Sequence, residues 1–141
     1  MIGREASLGL LKRVVHESPA DQTEVLLLTE DSSLTRFTQS TIHQHVAERN
    51  GTAILRVVSD KRIAVVTTNI LKPSSLRNSL KKAISLARVQ QPNEEFKSLP
   101  EPRPVPEVDT YSDKINRLTP DKKVKAIKRL FSIAKGKGFQ A

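Results

Sequence analysis

The chain has 141 residues, with a formal charge of +9 and a sequence pI near 10.1. That length fits one domain with one core, able to bury roughly two thirds of the surface of its unfolded form. Without cysteine, disulfides and thiolate metal sites are excluded, and the composition suits a reducing cytoplasm.

The first thirty residues hold no apolar run long enough to span a bilayer, and Lys12, Arg13 and His16 interrupt the apolar positions as the polar side of a helix does. A soluble, non-exported protein without a membrane partner is expected. Over residues 6–15, Leu8, Leu11 and Val15 form one stripe, with Leu10 and Val14 beside it, so a first helix is predicted to end before Pro19. Residues 23–29 contain Val25, Leu26, Leu27 and Leu28 in succession, which predicts a short inner strand covered on both faces.

A meander is predicted next. Asn50-Gly51 suits a type I′ turn, whose two central residues need positive φ, and counting outward pairs Arg49 with Thr52, Val46 with Leu55 and Gln44 with Val57. A second two-residue turn at Asp60-Lys61 pairs Val57 with Ala64 and Leu55 with Val66. Ile42, Val46, Ala53, Leu55, Val57, Ala64 and Val66 then share the face that meets the helices. The other face mixes His43, His45, Arg49 and Arg56 with Ile54, Val58, Ile63 and Val65, and sets His45 opposite Arg56.

Pro73, with Asn69 and Ser74 as cap candidates, opens a second helix whose Leu76, Leu80, Ala83, Ile84 and Ala87 carry it to about Val89. Between residues 91 and 113, five prolines among Glu, Lys and Ser predict an extended surface connection. Thr119-Pro120-Asp121 then supplies an N-cap hydroxyl, a proline at the first helical position and an acid in the first turn. Val124, Ile127, Leu130, Phe131 and Ala134 form the predicted buried stripe, with Gly136 or Gly138 as the stop. The fold class is α+β, an antiparallel meander sheet with helices packed on one face.

The basic residues cluster. Seven lie from Thr119 onward, including Lys122, Lys123, Lys125 and Arg129, against the single acid Asp121. Lys72, Arg77, Lys81, Lys82 and Arg88 form a second run without any acid. Such stripes attract phosphate through counterion release, and they are also ordinary solvated helix faces. No aromatic residue is interleaved to stack bases. A basic nucleic-acid-binding module, carried by Lys122, Lys123, Lys125 and Arg129, is therefore the alternative function.

His43 and His45, two apart on a predicted strand, project from one face and are weak zinc candidates. No third ligand sits at a defined spacing. His16-Glu17 is followed by Pro19 and has Asp21 where a zinc-peptidase helix would return a second His, so it reads as a helix end. No Gly-x-Ser-x-Gly elbow, Gly-x-Gly-x-x-Gly or phosphate-loop pattern is present. Lys135-Gly136-Lys137-Gly138 lies at a helix C-terminus, the wrong end for cradling phosphate. No catalytic residue is assigned.

Leu34-Thr-Arg-Phe-Thr-Gln-Ser-Thr-Ile-His-Gln, then Val46, Ala47, Glu48 and Asn50, Arg56-Val57-Val58, Thr67-Thr68-Asn69 and a Pro-led helix form a recognisable series. It continues through Leu99-Pro-Glu-Pro, the Asp109-Thr-Tyr region and the Thr119-Pro-Asp helix. The series resembles the amino-terminal domain of the TldD/PmbA family, also called modulators of DNA gyrase, with Lys61 where the family pattern usually has Gly. The resemblance implies a cytoplasmic zinc metallopeptidase, assembled from a catalytic and a noncatalytic partner subunit, that takes unfolded peptides into an enclosed cavity. Its zinc motif, His-Glu-x-x-x-His, belongs to a part of the protein beyond this domain, and nothing here matches it. The expectation is thus a single amino-terminal domain, stopping short of the family's usual architecture. It is inactive alone and holds no cofactor of its own. Its partners are then a companion subunit or the missing catalytic domain.

Overall fold

A computed structural model describes residues 3–140. Four helices and three strands follow in the order α1 (Arg4–His16), β1 (Gln22–Thr38), β2 (Thr41–Ser59), β3 (Arg62–Thr68), α2 (Pro73–Val89), α3 (Asp113–Asn116) and α4 (Pro120–Gly136). The strands form one open antiparallel sheet in the order β1-β2-β3, an α+β architecture. The chain divides into two compact units, one of residues 1–30 and 49–102 and one of residues 31–48 and 103–141.

In the first unit the register is set by Asp60-Lys61, where φ values of 48° and 60° provide the two positive-φ residues of a tight hairpin. Val57 faces Ala64 and Leu55 faces Val66, as that turn predicts. Ala53, Leu55, Val57 and Ala64 point one way and pack with Val14 of α1 and Leu76, Leu80, Ala83, Ile84 and Ala87 of α2. Period 2 in the strands and period 3.6 in the helices thus converge on one dry layer. Val58, on the alternate face, is also buried but lies outside that cluster. The extended segment after α2 is fixed by Asn93 N–H to the Lys61 carbonyl, by Lys61 to Glu94, and by Leu99 N–H to Gln22 Oε1.

The structure departs from the sequence expectation along β1 and β2. Asn50-Gly51 is no turn: β2 runs straight through it, and the reversal is made by Gln39-Ser40, with φ of 49° and 57°. A Cβ at position 51 would stand 2.7 Å from Leu71 Cδ1, so a larger residue there would require that side-chain tip to shift. The predicted pairings Arg49–Thr52, Val46–Leu55 and Gln44–Val57 fall with that turn, and Ile42 and Val46 do not enter the core cluster. Residues 23–29 belong to edge strand β1 rather than an inner strand; Val25 and Leu27 pack toward the core while Leu26 and Leu28 stay exposed. The apolar run is therefore half-covered. Arg56 lies opposite Val65, not His45.

α2 has Lys72 as N-cap with no side-chain cap bond, so neither Asn69 nor Ser74 caps it, and Pro73 alone marks the start. In the second unit, Thr119 Oγ1 accepts from Lys122 N–H at the head of α4. The helix stops at a left-handed Gly138 (φ 76°), with Gly138 N–H bonded to the Lys135 carbonyl and Phe139 N–H to that of Ala134. This reciprocal closure satisfies the last carbonyls. Val124, Ile127, Phe131 and Ala134 are half-buried, but Leu130, predicted on the same stripe, is 53% exposed. Phe131 meets Phe37 edge-on, ring centroids 5.1 Å apart.

Candidate functional site

The sequence-predicted residues fall in separate places. Both histidines, at alternate positions 43 and 45 of β2, are exposed in the hairpin closed by Gln39-Ser40. The His45 ring is engaged by hydroxyls: Nδ1 lies 2.7 Å from Thr35 Oγ1 and Nε2 lies 3.5 Å from Ser33 Oγ, both on β1. Sequence pattern does not reveal these neighbours, since the pairing that brings β1 alongside follows from the unforeseen Gln39-Ser40 turn. Among the described residues no group of three or more His, Cys, Asp or Glu side chains could hold a metal ion. The donor set at His43 and His45 does not fit zinc, because hydroxyls rather than carboxylates or a third imidazole surround the ring.

On α4, Lys122, Lys125 and Arg129 are exposed, as a phosphate-binding row requires. Lys123 is not part of it, because its ammonium donates to the Ser33 carbonyl and the side chain is half-buried. A shallow cleft of about 460 Å³ lies at the end of this helix, bounded by Ser40, Phe131, Lys135 and Phe139.

The first unit carries its own polar features. Glu24 of β1 pairs with Arg56 of β2 on the open sheet face, within a shallow depression of about 420 Å³ also lined by Leu26, Ile54 and Val65. Arg56 Nε is buried there without a hydrogen-bond partner. Beside the helix layer, Arg77 grips Glu17 with Nε and Nη2, at 2.7 and 3.0 Å, tying α2 to the end of α1. Those bonds hold the Glu17 carboxyl below the ordinary glutamate range and raise Arg77 further. Lys61 lowers Glu94 in the same way. These are exposed, structural ion pairs, and none faces a deep cavity that would exclude water from a reaction.

No protein-family model matches the sequence, and no curated protein matches it. Solved structures do. TldE from Thermococcus kodakarensis superposes with a TM-score of 0.80 at 18% identity, over 93% of this chain and 29% of that one. A protein from Bacteroides thetaiotaomicron described as a candidate modulator of DNA gyrase gives 0.80 at 22% identity, over 97% of this chain and 32% of its own. This chain shares their fold. A third such protein, from Thermotoga maritima, gives 0.69 at 17% identity, over 91% of this chain and 29% of its own. The TldE-like fold therefore extends over almost the whole chain, which spans about a third of the length of these proteins. It brings no cluster of reactive side chains together in the described residues.

Proposed function

We propose that this chain is the amino-terminal domain of a TldD/PmbA-type zinc metallopeptidase and that it serves subunit docking and substrate access rather than hydrolysis. The observation that carries the reading is the asymmetry of the structural likeness: over nine tenths of this chain matches, and under a third of the other chain is used. The residue series from Leu34 to Asn69 supports the same family independently.

In this reading the bond-breaking groups, including the His-Glu-x-x-x-His zinc site, belong to another segment or subunit. When bound there, zinc would polarise the scissile carbonyl and activate water. This chain's residues form the scaffold: α1 and α2 seal one face of the sheet, and the open face and the hairpin closed by Gln39-Ser40 remain for the companion polypeptide and the unfolded peptide it receives. The cytoplasm is the expected compartment, and among the described residues no helix is long and apolar enough to cross a membrane.

The test is reconstitution. The 141-residue chain is mixed with a separately expressed product carrying His-Glu-x-x-x-His, and co-purification and casein cleavage are measured. Complex formation with cleavage only in the mixture is the expected result. Chelator-sensitive cleavage by this chain alone would overturn the assignment of catalysis elsewhere.

A further inference from the structure

We propose that the outward side of α2 docks the phosphate backbone of duplex nucleic acid, without reading its sequence. This goes beyond the role in peptidase assembly and does not depend on it. One side of α2 is spent on the core through Leu76, Leu80, Ala83, Ile84 and Ala87. At 100° per residue the opposite side carries Ser74, Asn78, Lys81, Lys82, Ser85 and Arg88, all exposed, and ends on the exposed Val89. Each of the polar side chains there carries a hydrogen-bond donor. No carboxylate occurs between Leu71 and Gln90, and among the described residues Lys72, Lys81, Lys82 and Arg88 have no acidic partner. Arg77, the remaining cation, is taken by Glu17.

Unneutralised cations gathered on one side of a helix repel one another and add no stability to the fold. An external polyanion relieves that repulsion. From Ser74 to Arg88 the ridge is about 21 Å long at 1.5 Å per residue, the span of about six base pairs at 3.4 Å each. Cations interleaved with hydroxyl and amide donors are the groups that contact phosphate and sugar.

Other polyanions fit less well. Single strands are held by stacking on aromatic side chains, and α2 has none. A bilayer surface takes up the apolar side of an amphipathic helix, and that side of α2 is already buried among β2, β3 and α1. Relative to α4, the ridge is the less compensated, because α4 carries Asp121 and has Lys123 engaged by Ser33.

The test uses fluorescence anisotropy of the 141-residue chain with a labelled 20-base-pair duplex, in about 50 to 200 mM salt. Each phosphate contact adds about 0.9 to the log–log salt slope, so Lys81→Glu/Lys82→Glu/Arg88→Glu should flatten it by about 2 to 3 and weaken binding at least about tenfold. The uncharged Lys81→Gln/Lys82→Gln/Arg88→Gln variant should flatten it by the same count with the thermal midpoint unchanged. Lys122→Glu/Lys125→Glu/Arg129→Glu, which alters net charge equally, should shift the slope by less than about 1. Equal losses from the α2 and α4 reversals would overturn the proposal, leaving bulk charge as the cause. Displacement of the duplex by polyglutamate at equal charge concentration would also overturn it, in favour of an acidic protein partner. So would α2-dependent capture by phosphatidylserine vesicles.

Discussion

Leu76 and Leu130 are the same residue type on two helices of equal length, and the structure assigns them opposite roles. Leu76 is 0% exposed, packed against the inward strand residues, whereas Leu130 is 53% exposed on α4. Truncating a fully buried leucine loses its transfer free energy and leaves a cavity, together about 3 kcal/mol within a usual span of 2–5. At 1.4 kcal/mol per tenfold, Leu76→Ala should lower the folded-to-unfolded ratio by about two orders of magnitude. Leu130→Ala removes about half as much buried surface and creates no cavity, so about 1 kcal/mol or less is expected. Urea denaturation followed by far-UV circular dichroism, with the slope m held constant between variants, measures both. Equal losses would refute the assignment of the core to one face of the first unit, and a larger loss at Leu130 would show that α4 buries the stripe its sequence first implies.

The hairpin assignment is tested by Asn50→Thr, which should stay within about 0.5 kcal/mol because position 50 is extended and exposed, whereas Gln39→Val at positive φ should cost at least about 1 kcal/mol. The reverse order in thermal midpoints would restore a turn at Asn50-Gly51. Gly138→Ala places a side chain at φ 76° and should destabilise the end of α4 by about 1 kcal/mol, visible as faster amide exchange at Phe139. The pH dependence follows from Glu17: its carboxyl is lower in the folded state than in the unfolded one, so the stabilisation is present above the unfolded value. It disappears as pH falls through the folded one. Glu17→Gln should make the acid limb of a stability–pH curve shallower, and an unchanged limb would show that the Arg77 contact does not persist in solution.

Much of this fold was legible because periodicity and turn chemistry agreed. The helical stripe of α2 and the strand alternation around Asp60-Lys61 point to the same layer, and the register came out residue for residue. Asn50-Gly51 misleads because the dipeptide favours positive φ in isolation, while here both residues are extended within β2, with Leu71 packed close to Gly51. Its true counterpart, Gln39-Ser40, carries no comparable local signal. The consequence reached the candidate site: with the reversal misplaced, His45 was set beside Arg56 instead of beside Thr35 and Ser33. Arg56 and Glu24 could be linked only by tertiary placement, since thirty-one intervening residues separate them. Leu130 escapes the periodicity because α4 has only four positions of its stripe half-covered, Val124, Ile127, Phe131 and Ala134.

Every buried hydrophobic residue described belongs to the first unit; in the second, α4 rests on half-covered side chains, one ring contact, the Lys123–Ser33 bond and its terminal hydrogen bonds. A unit with so little dry interior opens at a fraction of the global unfolding cost. Deuterium uptake by α4 should therefore run ahead of that by α2. Association with another polypeptide, by supplying the missing cover, should slow α4 far more than it slows α2.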